Sequence, residues 1–313
     1  MSSHVVIGYG PAGAATARLL AEQGHSVRVV TKSGRSPEPG IQHFAFDATD
    51  SARLTETAQG AAAIYHCAAP PYHHWARAWP PLASSALAAA EATGAVLVML
   101  GNLYGYGPVD GPLTEDLPLA ATGPKGRVRA AVWEQAQTLH EQGRVRAVEV
   151  RASDFFGPGV TDGGHLAGRV LPPLLRGKAV STLGDPDVPH SWTYLPDVAR
   201  ALAEVAGEER AWGRPWHVPT QPALSVREMV GRLAAQAGTG PVAVRRIPPA
   251  VLGVASLFSP LIRELKEIRY QFDRPFTVDS GAYEAAFAVR ATPVDQQVEE
   301  TVDWWRERPA VTG

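Results

Sequence analysis

The chain has 313 residues, 45% of them hydrophobic and 19% charged, with a formal net charge of −2. That is enough apolar material for one large domain or two unequal ones, and the charge balance excludes a basic nucleic-acid surface as the main partner. The single cysteine, Cys67, excludes an internal disulfide and a cysteine zinc site, so no metal is expected; no secretory leader and no run of about 18 apolar residues is present, which predicts a cytoplasmic protein with no membrane partner.

His4–Ile7 is a short apolar run ending at glycine and reads as the first strand. Ala12–Gln23 carries apolar residues at helical spacing, and Gly24 ends it. Val27–Val30, Gln42–Phe46, Ala62–His66 and Ala95–Leu100 read as the second to fifth strands, with a helix at Leu82–Thr93 before the fifth. Val128–Gln142 is a further helix and Val145–Val150 a sixth strand. Continuous apolar strands alternating with helices imply a parallel sheet covered on both faces, an α/β class. After Phe155 glycine and proline become frequent, as in Gly157-Pro158-Gly159 and Pro172-Pro173, and the chain ends in a helix over Val294–Arg306.

The first strand runs into Gly8-Tyr9-Gly10-Pro11-Ala12-Gly13, a GxGxxG turn between a strand and a helix. The first glycine permits the turn, the second lets backbone approach a pyrophosphate, and the third lets helix and strand pack closely. The helix N-terminus adds N–H donors and partial positive charge for the phosphates. The fold expected is therefore a Rossmann-type doubly wound parallel sheet with a smaller C-terminal substrate lobe. Residues 1–155 form the dinucleotide-binding domain, 190–220 return to it, and 156–189 with 221–313 form the substrate lobe.

Dinucleotide sites for NAD or FAD carry an acid at the end of the second strand. Here that stretch is Val30-Thr31-Lys32-Ser33-Gly34-Arg35. Thr31, Lys32, Ser33 and Arg35 suit a 2′-phosphate, which predicts NADP(H); an ordinary solvated basic loop is the other reading. Asp47, after the third strand, either reaches the adenine ring or serves a turn. Ala68 and Ala69, after the fourth strand, lie at a strand end that faces the cofactor in such a sheet.

Two resemblances follow from these residues. Gly8 through Val30 resembles the first fingerprint of flavin-dependent monooxygenases over about 25 residues, but it departs at Thr31, where those enzymes carry an acid, and no flavin is expected. Nearly the whole chain resembles the extended short-chain dehydrogenase/reductases, the NAD(P)-dependent epimerase/dehydratase family. The resemblance is carried in order by Leu103-Tyr104-Gly105 with Gly107-Pro108, by Thr114-Glu115-Asp116 with Pro118, by Arg151-Ala152-Ser153-Asp154-Phe155-Phe156-Gly157-Pro158-Gly159, by His190 to Ala199, and by the tail from Glu299 to Trp305. The opening turn departs from the family's usual GxxGxxG. The resemblance also implies a catalytic Ser or Thr, a Tyr and a Lys; Leu100 stands in the first position, Lys125 in the tyrosine position and Arg129 in the lysine position.

Further candidates follow the fourth strand: His66, Tyr72, His73 and His74 suit acid/base or substrate contacts, since histidine titrates near neutrality, or they pack in the loop and face water. Asn102 either donates to a carbonyl oxygen or caps a turn. Asp154 and His165 are placed to line a cleft between lobes, and Asp197 to cap the following helix. Lys125 is one of only four lysines in a chain rich in arginine. It is read as the group that gives or takes the substrate proton, helped by His73 or His74, or else as a solvated side chain; Arg129, one helical turn on, is read as holding the nicotinamide ribose.

The leading expectation is an NADP(H)-dependent oxidoreductase of a small organic substrate held between the lobes. Against it stand a non-redox isomerase, dehydratase or lyase, and a non-catalytic NADP-binding protein. The family resemblance also implies a homodimer through Leu82–Thr93 and Val128–Gln142, the second offering Ala130, Ala131, Ala136 and Leu139 as a small apolar face.

Overall fold

Val5, Val6 and Ile7 are wholly buried, as a central parallel strand requires, and they anchor β1 (Ser3–Ile7). The structure, a computed structural model, describes residues 1–34, 38–161 and 163–308. Two compact units emerge. The first comprises Met1–Gly107, Glu115–Ala152 and Val198–Val218. After β1 it contains α1 (Pro11–Glu22), β2 (Ser26–Thr31), β3 (Ile41–Ala45), α2 (Ser51–Thr57), β4 (Ala63–His66), α3 (Trp75–Thr93), β5 (Val96–Asn102), α4 (Pro124–Glu141) and β6 (Ala147–Ala152). The strand Pro215–His217 completes a seven-stranded sheet in the order Pro215–His217, β6, β5, β4, β1, β2, β3. All pairings are parallel; Ile7 lies opposite Val30 on one side and His66 on the other. The strand order therefore reverses at β1, and the crevice beyond the carboxyl ends of β1 and β4 is where a ligand binds in such a sheet.

Three helices differ from the sequence reading. α3 begins at Trp75, seven residues before Leu82, and runs through Pro80 and Pro81. Two adjacent prolines read as a breaker, but Trp75 and Trp79 are buried, and that packing outweighs the lost backbone donors. α2 was not expected; it is short, and Asp50 caps it by accepting the Arg53 N–H at 3.1 Å. α4 starts at Pro124, four residues before Val128, with proline at its first position. Lys125 and Arg129 are thereby both helical.

The second unit comprises Pro108–Thr114, Ser153–Asp197 and the chain from Pro219 onward. Asp154–Phe156 pairs with Trp192–Tyr194, and Val180–Thr182 with Val244–Arg246, as two small parallel sheets. Its core joins Phe156, Leu174, Tyr194, Leu233 and Val302. Its longest helices are Val226–Ala237, opened by a reciprocal Ser225–Glu228 capping box, and Val294–Arg306. The return to the first unit begins at Val198, not at residue 190. The reason is pairing: Trp192–Tyr194 is a strand partner of Asp154–Phe156. Residues 108–114 also belong to this unit, because the Leu113 N–H donates to the Thr277 carbonyl and the Asp279 N–H to that of Leu113, both at 2.8 Å.

Candidate dinucleotide and proton-transfer site

Each glycine of the opening turn has a distinct environment. Gly8 has φ +90°, and a Cβ there would stand 2.6 Å from the Ala68 Cα. The segment after β4 thus lies directly against the turn, with Ala68 as its backing and Ala69 exposed beyond it. A Cβ on Gly13 would stand 2.2 Å from the Gly8 carbonyl oxygen, so α1 packs on the turn with no room for a side chain. Gly10, the N-cap of α1, has φ −72° and nothing within 4 Å of its would-be Cβ. Its backbone does not require glycine; the space in front of it is what glycine keeps open. Pro11 occupies the first helical position, and Ala12 and Gly13 follow without any acidic side chain in the first turn. This is the cradle a pyrophosphate needs, and the residues present fit a dinucleotide.

The rim of the cradle is braced by side chains. Tyr9 Oη donates to Glu38 Oε1 at 2.6 Å, and Arg18 Nε donates to Glu38 Oε2 at 3.0 Å. Hydrogen bonds from Arg18 and then Tyr9 hold the Glu38 carboxyl below its usual range. At the end of β2, Thr31 Oγ1 is buried with no hydrogen-bond partner among the described residues. Lys32 forms an ion pair with Asp47 at 2.9 Å, its side chain 79% exposed. Asp47 also accepts the Thr49 N–H, so it is engaged in a turn as well, and its carboxyl is held low, first by Lys32. Ser33 is exposed, and Arg35 lies outside the described residues.

Lys125 is buried on the first turn of α4, its ammonium 5.6 Å from the Tyr72 ring centre. Gly126 brings this turn against the Tyr104 backbone; a Cβ there would stand 2.5 Å from the Tyr104 carbonyl oxygen. The Tyr72 and Tyr104 hydroxyls are hydrogen-bonded to each other, and Trp75 stacks on Tyr104 with ring centres 5.8 Å apart. A cation and two phenols therefore meet beside the strand ends, drawn from α4 and from the segments after β4 and β5. Tyr72 was a sequence candidate. Tyr104 was quoted only as a motif residue; its hydroxyl was the available signal, but nothing in the sequence places it on Tyr72.

Arg129 does not extend toward a cofactor: it is 4% exposed, its Nη2 donates to the Leu100 carbonyl at 2.8 Å and to Glu149 Oε1 at 3.3 Å, and its guanidinium lies 4.3 Å from the Trp79 ring centre. Its Nε and Nη1 are buried and without partners among the described residues. Glu149 also accepts from Arg151 Nε at 2.6 Å, and Arg151 donates to Tyr106 Oη at 2.6 Å. Tyr106 Oη meets His217 Nε2 at 2.8 Å, and Glu115 accepts the His217 N–H at 2.9 Å. The motif residues Glu115 and Arg151 are thus parts of a buried polar chain. Gly101 makes room for it, since a Cβ there would stand 2.7 Å from Glu149 Oε1.

His66 is not a free acid or base. It is buried against Trp79 with both ring nitrogens unpartnered among the described residues, and burial, then the Arg129 charge, lowers its pKa to about 4. His73 and His74 are exposed, their rings 4.1 Å apart, at the entry to α3. Asn102 caps a turn by accepting the Tyr104 N–H at 3.2 Å. Burial pushes the Cys67 thiol up to about 12. Asp197 lies in the first turn of the helix Leu195–Gly207 and accepts the Thr292 N–H and hydroxyl at 2.9 and 2.7 Å. In the second unit, Asp154 accepts from His190 Nε2 at 2.8 Å. Burial alone would raise the Asp154 carboxyl, but His190 outweighs it and holds it low. Burial lowers His165 to about 4, and its Nε2 is engaged with Thr182 at 2.7 Å. On α4, Ala130 and Ala136 point into the core; Ala131 is exposed and Leu139 half-buried, so the small face expected for a dimer is not one surface.

Comparison with known proteins accords with this geometry. A dTDP-glucose 4,6-dehydratase from Bacillus anthracis, solved with NAD, superposes with a TM-score of 0.79 at 16% identity, covering 98% of this chain and 97% of its own. A UDP-glucuronic acid 4-epimerase from Bacillus cereus, solved with NAD, gives 0.79 at 14% identity, covering 97% and 99%. A dTDP-glucose 4,6-dehydratase from Streptomyces venezuelae gives 0.77 at 21% identity over 98% and 97%. No curated protein matches the chain. Residues 5–216 match the NAD dependent epimerase/dehydratase family, and the chain belongs to that family.

Proposed function

We propose that this protein is a nicotinamide-dinucleotide-dependent oxidoreductase acting on a hydroxyl-bearing or carbonyl carbon of a small organic substrate. The observation that carries the reading is the open space at Gly10 between two glycines whose own side-chain positions are filled. A bound nicotinamide dinucleotide supplies or accepts the hydride at the substrate carbon. The chain supplies the rest. Backbone N–H groups at the start of α1 receive the phosphates, and the Ala68 segment backs the turn.

The proton that accompanies the hydride moves at the Tyr72–Tyr104 hydroxyl pair. When one phenol gives up its proton, the other hydroxyl donates to the resulting oxygen, and the Lys125 ammonium lies over the Tyr72 ring. Both effects favour the charged form. Lys125 then acts as the standing cation beside the phenols and not as the proton donor itself. Within the cofactor class, we place NADP(H) ahead of NAD(H). Thr31, Lys32, Ser33 and Gly34 include no acid to hold ribose hydroxyls, and Lys32 is exposed. A charge-assisted contact to a 2′-phosphate contributes about tenfold or more in affinity, against competition from Asp47. The proposed assembly is a homodimer through α3 and α4, seated on the groove lined by Ala76, Pro80, Val128, Ala131 and Gln135.

The test is fluorescence titration with NADPH and NADH, then turnover on a panel beginning with dTDP- and UDP-sugars, for the parent, Tyr72→Phe and Lys125→Met. The expected result is tighter NADPH binding, and lost turnover with intact cofactor affinity in both variants. Failure to bind either dinucleotide overturns the function; full activity of Tyr72→Phe overturns the proton route. Equal binding of the two cofactors removes the NADP(H) preference, and scattering at the monomer mass removes the dimer. Turnover without net cofactor consumption assigns an epimerase- or dehydratase-type cycle in place of net oxidation.

A further inference from the structure

A small apolar cavity of about 90 Å³ lies within the second unit. Its walls are Leu252 and Gly253 of the helix Pro249–Phe258, Ile262 and Leu265 of the helix Pro260–Ile268, and Leu183 and Phe272. Helical spacing explains the walls. Positions 252 and 253 share a face with Pro249, and positions 262, 265, 266 and 269 fall within one stripe about 100° wide. Apolar side chains around a void lack contacts on one side, and a ligand of matching shape restores them. Gly253 keeps the space open. It lies in mid-helix, where glycine destabilises relative to alanine, yet a Cβ there would meet nothing within 4 Å.

The charged side chains that line the cavity are Lys266 and Arg269, both cations, and no acid joins them. Arg269 shares Asp273 with Arg246, each at 2.7 Å, so one carboxylate serves two guanidiniums. Lys266 is exposed and forms no ion pair among the described residues. The acids of the same helix, Glu264 and Glu267, fall about 100° or more from the nearest lining position, on the side that carries Arg263. The mouth of the cavity is therefore positive while its walls are apolar. Such a chamber fits a ligand with an apolar tail and one anionic head. A sugar or a nucleobase would leave its polar groups unpaired against these walls. Benzene fills an apolar cavity of about 150 Å³, so this one holds about four carbons of a chain, and the head lies beyond them at the mouth.

We propose that the second unit binds a short straight-chain carboxylate, about six carbons long, with its tail between the two helices and its carboxylate on Lys266 and Arg269. The site belongs to one unit and does not rest on the dinucleotide reading.

The experiment is saturation-transfer NMR with calorimetry on the full chain, using hexanoate, hexanol and hexylammonium. Hexanoate binds, and its terminal methyl receives more saturation than the carbon beside the carboxylate. The two control ligands bind at least about tenfold more weakly, because the charge-assisted contact to the head is lost. Lys266→Met, at an exposed position, weakens hexanoate by about the same factor and leaves hexanol unchanged. Gly253→Phe places a ring in the open space and removes hexanoate binding, while circular dichroism shows both variants folded. Absence of hexanoate binding overturns the proposal, as does binding of hexylammonium or hexanol equal to that of hexanoate. So does unchanged hexanoate affinity in either variant. Failure of the parent to bind NADPH would strike the dinucleotide reading and leave this site standing.

Discussion

Replacing Glu149 by glutamine tests whether Arg129 is held as part of the core or serves the cofactor. The Glu149 side chain is 3% exposed and lies 3.3 Å from Arg129 Nη2 and 2.6 Å from Arg151 Nε, both guanidiniums being similarly buried. Glutamine keeps the shape but removes the one negative charge between two positive ones. Breaking a buried ion pair by neutralising one partner costs roughly 3–5 kcal/mol, because the opposite charge is left uncompensated. For a unit of this size that corresponds to a fall in Tm on the order of 10 °C. The assay is urea and thermal unfolding followed by tryptophan fluorescence, which reports on Trp79 beside Arg129. Adding Arg129→Met to Glu149→Gln removes one of the two orphaned charges, so the double variant recovers part of the loss. NADPH affinity, measured where the variant is folded, stays at the parental value. An unchanged midpoint with collapsed NADPH affinity would refute the reasoning and return Arg129 to the ribose role implied by the resemblance.

Two other predictions follow from packing and burial. Gly10→Ala leaves the unfolding midpoint nearly unchanged, because its Cβ meets nothing, yet it weakens NADPH binding; Gly13→Ala lowers both, because its Cβ would stand 2.2 Å from the Gly8 carbonyl oxygen. Equal midpoints for the two would contradict the assignment of the turn. Acid stability reports on His66 and His165, whose pKa values are lowered from 6.5 to about 4 by burial. A lowered folded value means that the unfolded chain binds more protons between those limits, so stability is full above pH 6.5 and falls as pH drops toward 4. The loss reaches roughly 3 kcal/mol for each group, and His66→Phe flattens the slope in a pH series of urea midpoints; a slope identical to the parent's would show that His66 is not the buried neutral group described.

The centre of the sheet was legible because β1, β4 and β5 are buried on both faces and therefore read as continuous apolar runs, whereas the short edge strand Pro215–His217 was not read. β1, β4 and β5 fall within two residues of their expected ends. The glycine turn was legible because close approach leaves glycine no substitute. Position along a helix could also be read, which put Lys125 and Arg129 one turn apart. Long-range partners could not. Arg129 finds its counter-ion twenty residues on, in the middle of β6, and Glu149, with Arg151 two positions along the same strand, gave no hint that it would also meet Arg129. For the same reason His66, a strand-end histidine that suits chemistry on paper, turned out to stack on Trp79. The start of α3 was hidden by Pro80 and Pro81, whose local preference yields to two buried tryptophans. Residues 190–197 were expected to return to the first unit, and the pairing of Trp192–Tyr194 with Asp154–Phe156 keeps them in the second.

Lys125 and Arg129 of α4 show how a change of side chain moves a function. Lysine carries a compact point charge on a flexible stem, whereas arginine carries a planar fork suited to carboxylates and ring faces. At position 129 the fork has what it needs in the Leu100 carbonyl, Glu149 and Trp79, so the charge is drawn into the core. The cation that remains near the strand ends is Lys125, one turn earlier, and Gly126 brings it level with Tyr104. A phenol is still needed beside that cation for the proposed proton transfer, and it comes from outside α4, at Tyr72 and Tyr104. On this reading Arg129, Glu149 and Gly101 form one coupled set: Gly101 makes space for Glu149, Glu149 compensates Arg129, and Arg129 leaves the site to Lys125. Arg129→Lys alone would therefore not recreate a ribose contact. It would place a shorter-reaching cation beside a buried carboxylate, and its effect would be read in the unfolding midpoint before it was read in turnover.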